Sequence, residues 1–302
     1  MAADARISVV IPTYNRANLL RGCLDSALAQ TRPADEIVLV DDGSTDDTSE
    51  VVASYSDQIM FIQQENAGPG AARNNGAARA SGDYIAFLDS DDAWAPWTLE
   101  YIAAAIEEHR PRLMLLTPQI LSDPSEWRCN EKPPLDARGY PDFFAAAKRG
   151  LYCGSNVMVV DRRRMLEVGG FHPDLRCAED QVLVMRMGID AGFCQIVSPP
   201  LVGVLRHEVS LMESCDGIVS GLNYLIDAEH RGEFPGGAER QRDRRAYLSF
   251  LVRGLSHRLV KQGHPKEARR LYRRVLGWNL RLLRFKYLLG LPVLSVLAPK
   301  RG

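Results

Sequence analysis

Three carboxylates within four residues, Asp89, Asp91 and Asp92, end the apolar run Tyr84-Ile-Ala-Phe-Leu88. Such a run reads as a buried strand, so the acids stand where the chain leaves a sheet. Like charges this close repel, and the cluster needs a cation, a hydrogen-bond network or open water to persist. Hard oxygen ligands suit Mg2+ or Mn2+, ions that commonly share their coordination with substrate phosphates. The same acids equally suit a solvated turn ahead of a helix opening at Pro96. A second acidic pair, Glu179-Asp180, precedes the apolar Val182, Leu183 and Met185. It is either a helix start, which acids favour, or the source of a general base.

The elements around these acids follow from periodicity. Residues 7–11, 36–40, 59–62, 84–88 and 113–117 read as strands. Between them run helical patterns: Leu20, Leu24, Ala27 and Leu28; then Val51, Val52 and Tyr55; then a segment from about Ala71 to Arg79; then Leu99, Ile102, Ala103 and Ile106. Strand–helix alternation predicts an α/β fold, a mostly parallel central sheet flanked by helices. Ligands of such sheets collect outside the carboxyl ends of the strands. Four polar loops fall there: Pro12-Thr-Tyr-Asn15, Asp41-Asp-Gly-Ser-Thr-Asp46, Asn66-Ala-Gly-Pro-Gly-Ala-Ala-Arg-Asn74 and the acidic cluster. One composite site is the simplest account of all four. Further on, residues 118–160 look irregular and proline-rich, 154–160 reads as another strand, and 180–187 as a helix. From about residue 216 the pattern is helical and basic.

These pieces resemble a family 2 glycosyltransferase of the GT-A fold. The matching stretches are Val9-Val-Ile-Pro-Thr-Tyr-Asn15, Val40-Asp-Asp-Gly-Ser-Thr-Asp46, Asn66-x-Gly68 with Ala72-Arg-Asn74, Phe87-Leu-Asp-Ser-Asp-Asp92, Gly169-Gly-Phe171 and Glu179-Asp180, in the family's order. The resemblance covers about residues 6–210. It implies a metal-dependent, inverting transfer of a sugar from a nucleotide-diphospho-sugar, UDP-linked by preference, to a hydroxyl acceptor. It further implies that Pro12, Tyr14 and Asn15 lie against the base, and that Asp42 meets a uracil-type imide. Arg73 would approach the diphosphate, with Asp89 and Ser90 beside the donor. Asp91 and Asp89 would hold the Mn2+ or Mg2+, and Asp180 would be the catalytic base. Glu179 and Asp92 would support them, Asp92 as a neighbour of the metal or a helix cap. His207 stands where such enzymes often add a late histidine to the metal. Plainer roles suit several of these residues: a packed aromatic for Tyr14, a turn or helix cap for Asp42, and a surface group for His207.

The whole chain agrees with an enzyme that has an appendage. Its 302 residues, 46% hydrophobic and 25% charged, support a real core. The formal net charge of −1 conceals an asymmetry. Residues 229–302 carry 18 Lys and Arg against 5 Asp and Glu, whereas residues 1–228 carry 19 against 33. The expected division is a catalytic domain at 1–215, with a nucleotide-sugar half at 6–117 and an acceptor half at 118–215, followed by a basic helical region at 216–302. That region is either a helical subdomain packed on the core or an interfacial surface drawn to anionic lipid. It lacks the aromatic–basic pattern of RNA-binding modules, so nucleic acid is not an expected partner. The expected partners are the donor and a glycan or lipid-linked acceptor, with peripheral membrane contact through the basic region. Six scattered cysteines without a Cys-x-x-Cys pair argue against zinc and suit reduced thiols. The first residues lack a signal-peptide core, and the longest apolar stretch, 287–298, is broken by Pro292. A cytoplasmic location, peripheral to the inner face of the plasma membrane, is expected, in cell-surface polysaccharide or glycolipid assembly. Two other readings stand beside it: a sugar nucleotidyltransferase, whose N-terminal Gly-rich loop is replaced here by Ile11-Pro-Thr-Tyr-Asn15, and an inactive nucleotide-sugar-binding subunit.

Overall fold

A computed structural model describes residues 5–148, 151, 153–205 and 215–283. The chain divides into two compact units, residues 1–174 with 179–208, and residues 175–178 with 209–302. The first unit contains, in order, β1 (Ile7–Thr13), α1 (Ala17–Leu28), β2 (Glu36–Asp41), α2 (Thr48–Ala53), β3 (Met60–Gln63), α3 (Pro69–Arg79), β4 (Tyr84–Phe87), β5 (Asp92–Trp94), α4 (Thr98–His109) and β6 (Leu113–Leu115). It continues with β7 (Pro118–Leu121), β8 (Asp136–Tyr140), α5 (Phe143–Ala147), β9 (Met158–Asp161), α6 (Arg162–Glu167), α7 (Glu179–Met187), β10 (Phe193–Ser198) and β11 (Val202–Leu205).

The large sheet has the order β3-β2-β1-β4-β9-β6-β10-β8. β1 to β4 run parallel, β6 and β10 run parallel, and β9 lies antiparallel between β4 and β6. All seven residues of β1 are buried. A central strand covered on both faces needs a continuous apolar run rather than alternation, and Ile7 to Ile11 supplies it. Pro12 sits near the end of this strand without disrupting the sheet. The β4 register stops at Val10, so the missing Pro12 N–H lies beyond the pairing on that side. α1 buries Leu20, Cys23, Leu24 and Ala27. Cys23 therefore takes the inward place expected for Leu28. α4 begins at Thr98, two residues after Pro96, and turns Ala105 rather than Ala103 inward beside Leu99, Ile102 and Ile106.

Residues 118–160 are more regular than their composition suggests. β7 and β8 each lie at the edge of their sheets, and β7 leaves Gln119 and Ile120 exposed. An edge strand pairs on one side and carries little apolar alternation, so only its tertiary partner reveals it. Within the expected strand 154–160, Ser155–Val157 forms a 3-10 turn and β9 begins at Met158. A second, small sheet, β5-β11-β7, pairs Asp92 with Val204.

The second unit contains α8 (Cys215–Arg231), α9 (Gln241–Lys261) and α10 (Pro265–Arg281). α9 buries Tyr247, Leu248, Val252 and Leu259; α10 buries Ala268, Leu271, Val275 and Trp278. The spacing of three and four residues is that of amphipathic helices sharing a core. Glu229 of α8 is buried and accepts from Arg244 Nε at 2.7 Å and Arg245 Nε at 3.1 Å. Arg244 also donates to the carbonyls of Pro235 and Gly237, so the buried charges are fully engaged. Among the described residues no helix is long and apolar enough to cross a membrane.

Candidate active site

Because β1, β2, β3 and β4 are parallel, the loops that follow them emerge on one edge of the sheet, and hydrogen bonds lock the first three together. Asn15, at φ 51°, receives its backbone partner from the β2 loop, donating N–H to Ser44 Oγ at 2.9 Å. Its side-chain oxygen accepts from Thr45 N at 2.8 Å. A left-handed backbone is tolerated by Asn better than by most residues, which explains its use at this corner. Ser44 N in turn donates to Asp41 Oδ1 at 3.0 Å. Tyr14 stands exposed on the β1 loop, whereas Pro12 is buried.

Asp42 is buried and holds the β3–α3 loop. Its Oδ1 accepts from Ala67 N and Gln64 Nε2, each at 2.8 Å, and its Oδ2 from Gly68 N at 2.8 Å. Gly68 takes φ 98°, a conformation that a side chain would strain. Two residues on, a Cβ on Gly70 would lie 2.8 Å from the His172 carbonyl and 3.3 Å from Glu179 Cγ. A glycine there lets the start of α3 approach the segment that carries Glu179.

Arg73, on α3, is the centre of the arrangement. Its guanidinium is buried, donates from Nη2 to Asp89 Oδ1 at 2.7 Å and from Nη1 to Glu179 Oε1 at 2.9 Å, and lies over the Phe171 ring at 5.5 Å. The two carboxylates hold it protonated well above its usual range, against the opposing effect of burial. Its Nε has no hydrogen-bond partner among the described residues. The next residue, Asn74, exchanges two hydrogen bonds with the Phe171 backbone, at 2.8 and 2.9 Å. α3 thereby ties the acidic cluster after β4 to Gly169-Gly-Phe171 and to α7, some 100 residues later in the chain.

Asp89, Asp91 and Asp92 each present a carboxylate oxygen within 4.8 Å of the others. Besides Asp89 with Arg73, Asp91 Oδ2 is 3.7 Å from Arg16 Nε. Asp92 caps no helix: it opens β5, is buried, and accepts from Asn156 Nδ2 at 2.5 Å. Burial, then the charges of Asp89 and Asp91, push its carboxyl well above the usual range. Buried Ser90 lies between these acids in the chain. An all-oxygen donor set this compact, with a carboxylate whose charged form is disfavoured unless a cation shares the site, fits a hard divalent ion.

Asp180, on the first turn of α7, is half-buried, and its Oδ1 accepts from Gln181 N at 2.6 Å. Burial, reinforced by the Glu179 charge, pushes its carboxyl up to about 7. A carboxylate so poised is a competent general base near neutral pH. His207 lies outside the described residues. Sequence reading overlooked Arg16, Gln64 and Asn156. Arg16 directly follows the Pro-Thr-Tyr-Asn stretch and was open to detection; Gln64 and Asn156 carry no local signal and acquire their roles only through the fold.

Loops of this kind on a sheet with an antiparallel strand inserted beside β4 define the class, an α/β fold of the GT-A type. Residues 8–158, half of the chain, match the model of Glycosyl transferase family 2, and the chain belongs to that family. Glycosyltransferase GlyA of Streptococcus pneumoniae is 50% identical over 95 residues, which make up 30% of this chain and 14% of that protein. An uncharacterized glycosyltransferase of Rickettsia felis is 38% identical over 144 residues, 47% of this chain and 23% of that protein. The chain thus matches less than a quarter of the length of these two relatives. Among solved structures, S. aureus TarS 1–349, in complex with UDP-GlcNAc, superposes with a TM-score of 0.58 at 20% identity, over 92% of both chains. The mannosyltransferase PcManGT from Pyrobaculum calidifontis, in complex with GDP-Man and Mn2+, gives 0.54 at 16% identity, over 98% of this chain and 88% of that one. These two likenesses show the shared fold.

Proposed function

We propose that the chain transfers a sugar from a nucleotide-diphospho-sugar to a hydroxyl acceptor, with a divalent cation and with inversion at the anomeric carbon. The observation that carries this reading is the buried Arg73 bridge, which joins Asp89 of the acidic cluster to Glu179, the neighbour of Asp180. It links a cation site to a base-bearing helix, the two parts that such a displacement requires. The ligands named for the similar structures, UDP-GlcNAc in one and GDP-Man with Mn2+ in the other, support the donor class and the ion.

Pro12, Tyr14 and Asn15 form the wall for the base. Asp42 fixes the loop beside it and retains a lone-pair site on Oδ2 for a uracil-type imide, since that oxygen accepts one of the roughly two bonds it can take. Asp91 and Asp89 hold the cation, Ser90 and Asp89 border the donor, and Asp92 shapes the cluster through Asn156. When bound, the cation offsets the charge that grows on the leaving diphosphate. Arg73 holds the Asp89 and Glu179 carboxylates in place. Asp180 takes the proton of the acceptor hydroxyl as its oxygen bonds to the anomeric carbon and the bond to the diphosphate oxygen breaks. A carbohydrate or lipid-linked acceptor of cell-surface assembly, met by peripheral contact with a membrane, completes the proposal.

The test is a panel of UDP- and GDP-sugars with Mn2+, comparing wild type with Asp180→Asn and Asp91→Ala. Asp180→Asn is expected to abolish transfer and keep Mn2+-dependent nucleoside diphosphate binding. Asp91→Ala is expected to weaken that binding itself. Full turnover by Asp180→Asn would remove Asp180 as the base, and unchanged calorimetric affinity in Asp91→Ala would remove it as a metal ligand.

A further inference from the structure

α10 buries Ala268, Leu271, Val275 and Trp278 along one side. Its exposed side, spaced three and four residues apart, carries Lys266, Arg269, Arg270, Arg273 and Arg281, with Leu280 among them. No ion pair engages any of these five cations among the described residues, although Arg274 on the flank is paired with Asp227. The contrast is informative, because the exposed acids among the described residues of the unit, Asp216, Glu233 and Glu239, all precede α9 and α10 in the chain. Glu229 neutralises Arg244 and Arg245, and the sole acid of α10, Glu267, is half-buried at the edge of the stripe. From residue 240 to residue 283 no acidic side chain is exposed. The cationic stripe ends in two exposed leucines, Leu280 at 53% and Leu283 at 68% exposure.

We infer that this face of α10 is a docking surface for an anionic lipid bilayer. Unpaired cations along a helix attract an anionic leaflet over the Debye length, and each contributes about 1 kcal/mol, or roughly fivefold in affinity. The leucines give the second component, apolar insertion at the headgroup boundary, which a purely electrostatic partner would not use. That pairing of charge with exposed leucine, and the absence of an exposed Phe, Tyr or Trp among the described residues of the unit, favours lipid over nucleic acid. The inference deepens the peripheral membrane contact proposed above, rests on the second unit alone, and is tested without the transfer reaction.

The experiment is cosedimentation of the full chain with phosphatidylcholine vesicles, with or without phosphatidylglycerol, and no donor present. Binding is expected only with phosphatidylglycerol and is expected to fade with added salt. The exposed triple variant Arg269→Gln/Arg270→Gln/Arg273→Gln is expected to bind about 100-fold more weakly, the product of three such factors, with unchanged circular dichroism. Leu280→Ser/Leu283→Ser is expected to weaken vesicle binding and to leave heparin binding unaltered. Equal binding to neutral vesicles, or full binding by the triple variant, would overturn the proposal. Binding to single-stranded RNA as tight as to vesicles, insensitive to the leucine pair, would reassign the face to nucleic acid.

Discussion

At the scale of single residues, the site is a chain of charge relations rather than a set of independent ligands. Asp180 owes its raised carboxyl first to burial and then to Glu179, while Arg73 opposes the shift. The active form of a base is the deprotonated one, so the transfer rate should climb with pH below about 7 and level off above it. Glu179→Gln keeps a hydrogen-bond acceptor for Arg73 and removes the charge beside Asp180. The rising limb of its pH–rate profile should therefore move to lower pH, and a profile superimposable on wild type would exclude the coupling. The same shift has a consequence for folding. Asp180 binds its proton more tightly folded than unfolded, so the stability it contributes is full below about pH 4 and is lost as pH rises through about 7. Asp180→Asn should consequently match wild type in urea denaturation at pH 4 and exceed it at pH 8.

At the scale of elements, α3 is the organiser. Its Gly70 permits close approach, its Arg73 reaches Asp89 and Glu179, and its Asn74 fastens the Phe171 backbone. Asn74→Ala removes two hydrogen bonds worth about 1 kcal/mol each, and amide exchange at Phe171 should accelerate accordingly. In the second unit, Glu229 is the element-level anchor. Glu229→Ala leaves Arg244 buried without its counter-ion and should cost about 3–5 kcal/mol, read as a lowered denaturation midpoint; a loss within experimental error would mean that the three helices pack without it. The strand–helix alternation of residues 7–117 was legible because each central strand is a continuous apolar run. β7 and β8 were not, because edge strands with exposed or polar side chains carry no such signature. The inward places of Cys23 and Ala105 likewise depend on helix phase against the sheet, which composition leaves open.

At the scale of the molecule, acids and cations are segregated: excess negative charge lies in residues 1–228 and excess positive charge in residues 229–302. In the first unit three carboxylates converge at one sheet edge, and a bound divalent ion would relieve their mutual repulsion. Mn2+ should therefore raise the melting temperature of the wild type, by the equivalent of about 2.7 kcal/mol at 100 times its Kd, and should not raise that of Asp91→Ala. An equal shift in both would place the ion elsewhere. The sequence by itself determined the strand–helix alternation of residues 7–117, the four loops and the acids they carry, since local periodicity and turn chemistry are written in neighbouring residues. Only the tertiary structure decided that Arg73 spans from Asp89 to Glu179, that Asp42 clamps the loop at Ala67 and Gly68, and that Asp92 rests against Asn156. Those contacts join residues 16 to 106 positions apart, where the burial that sets their charges exists only once the sheet has closed.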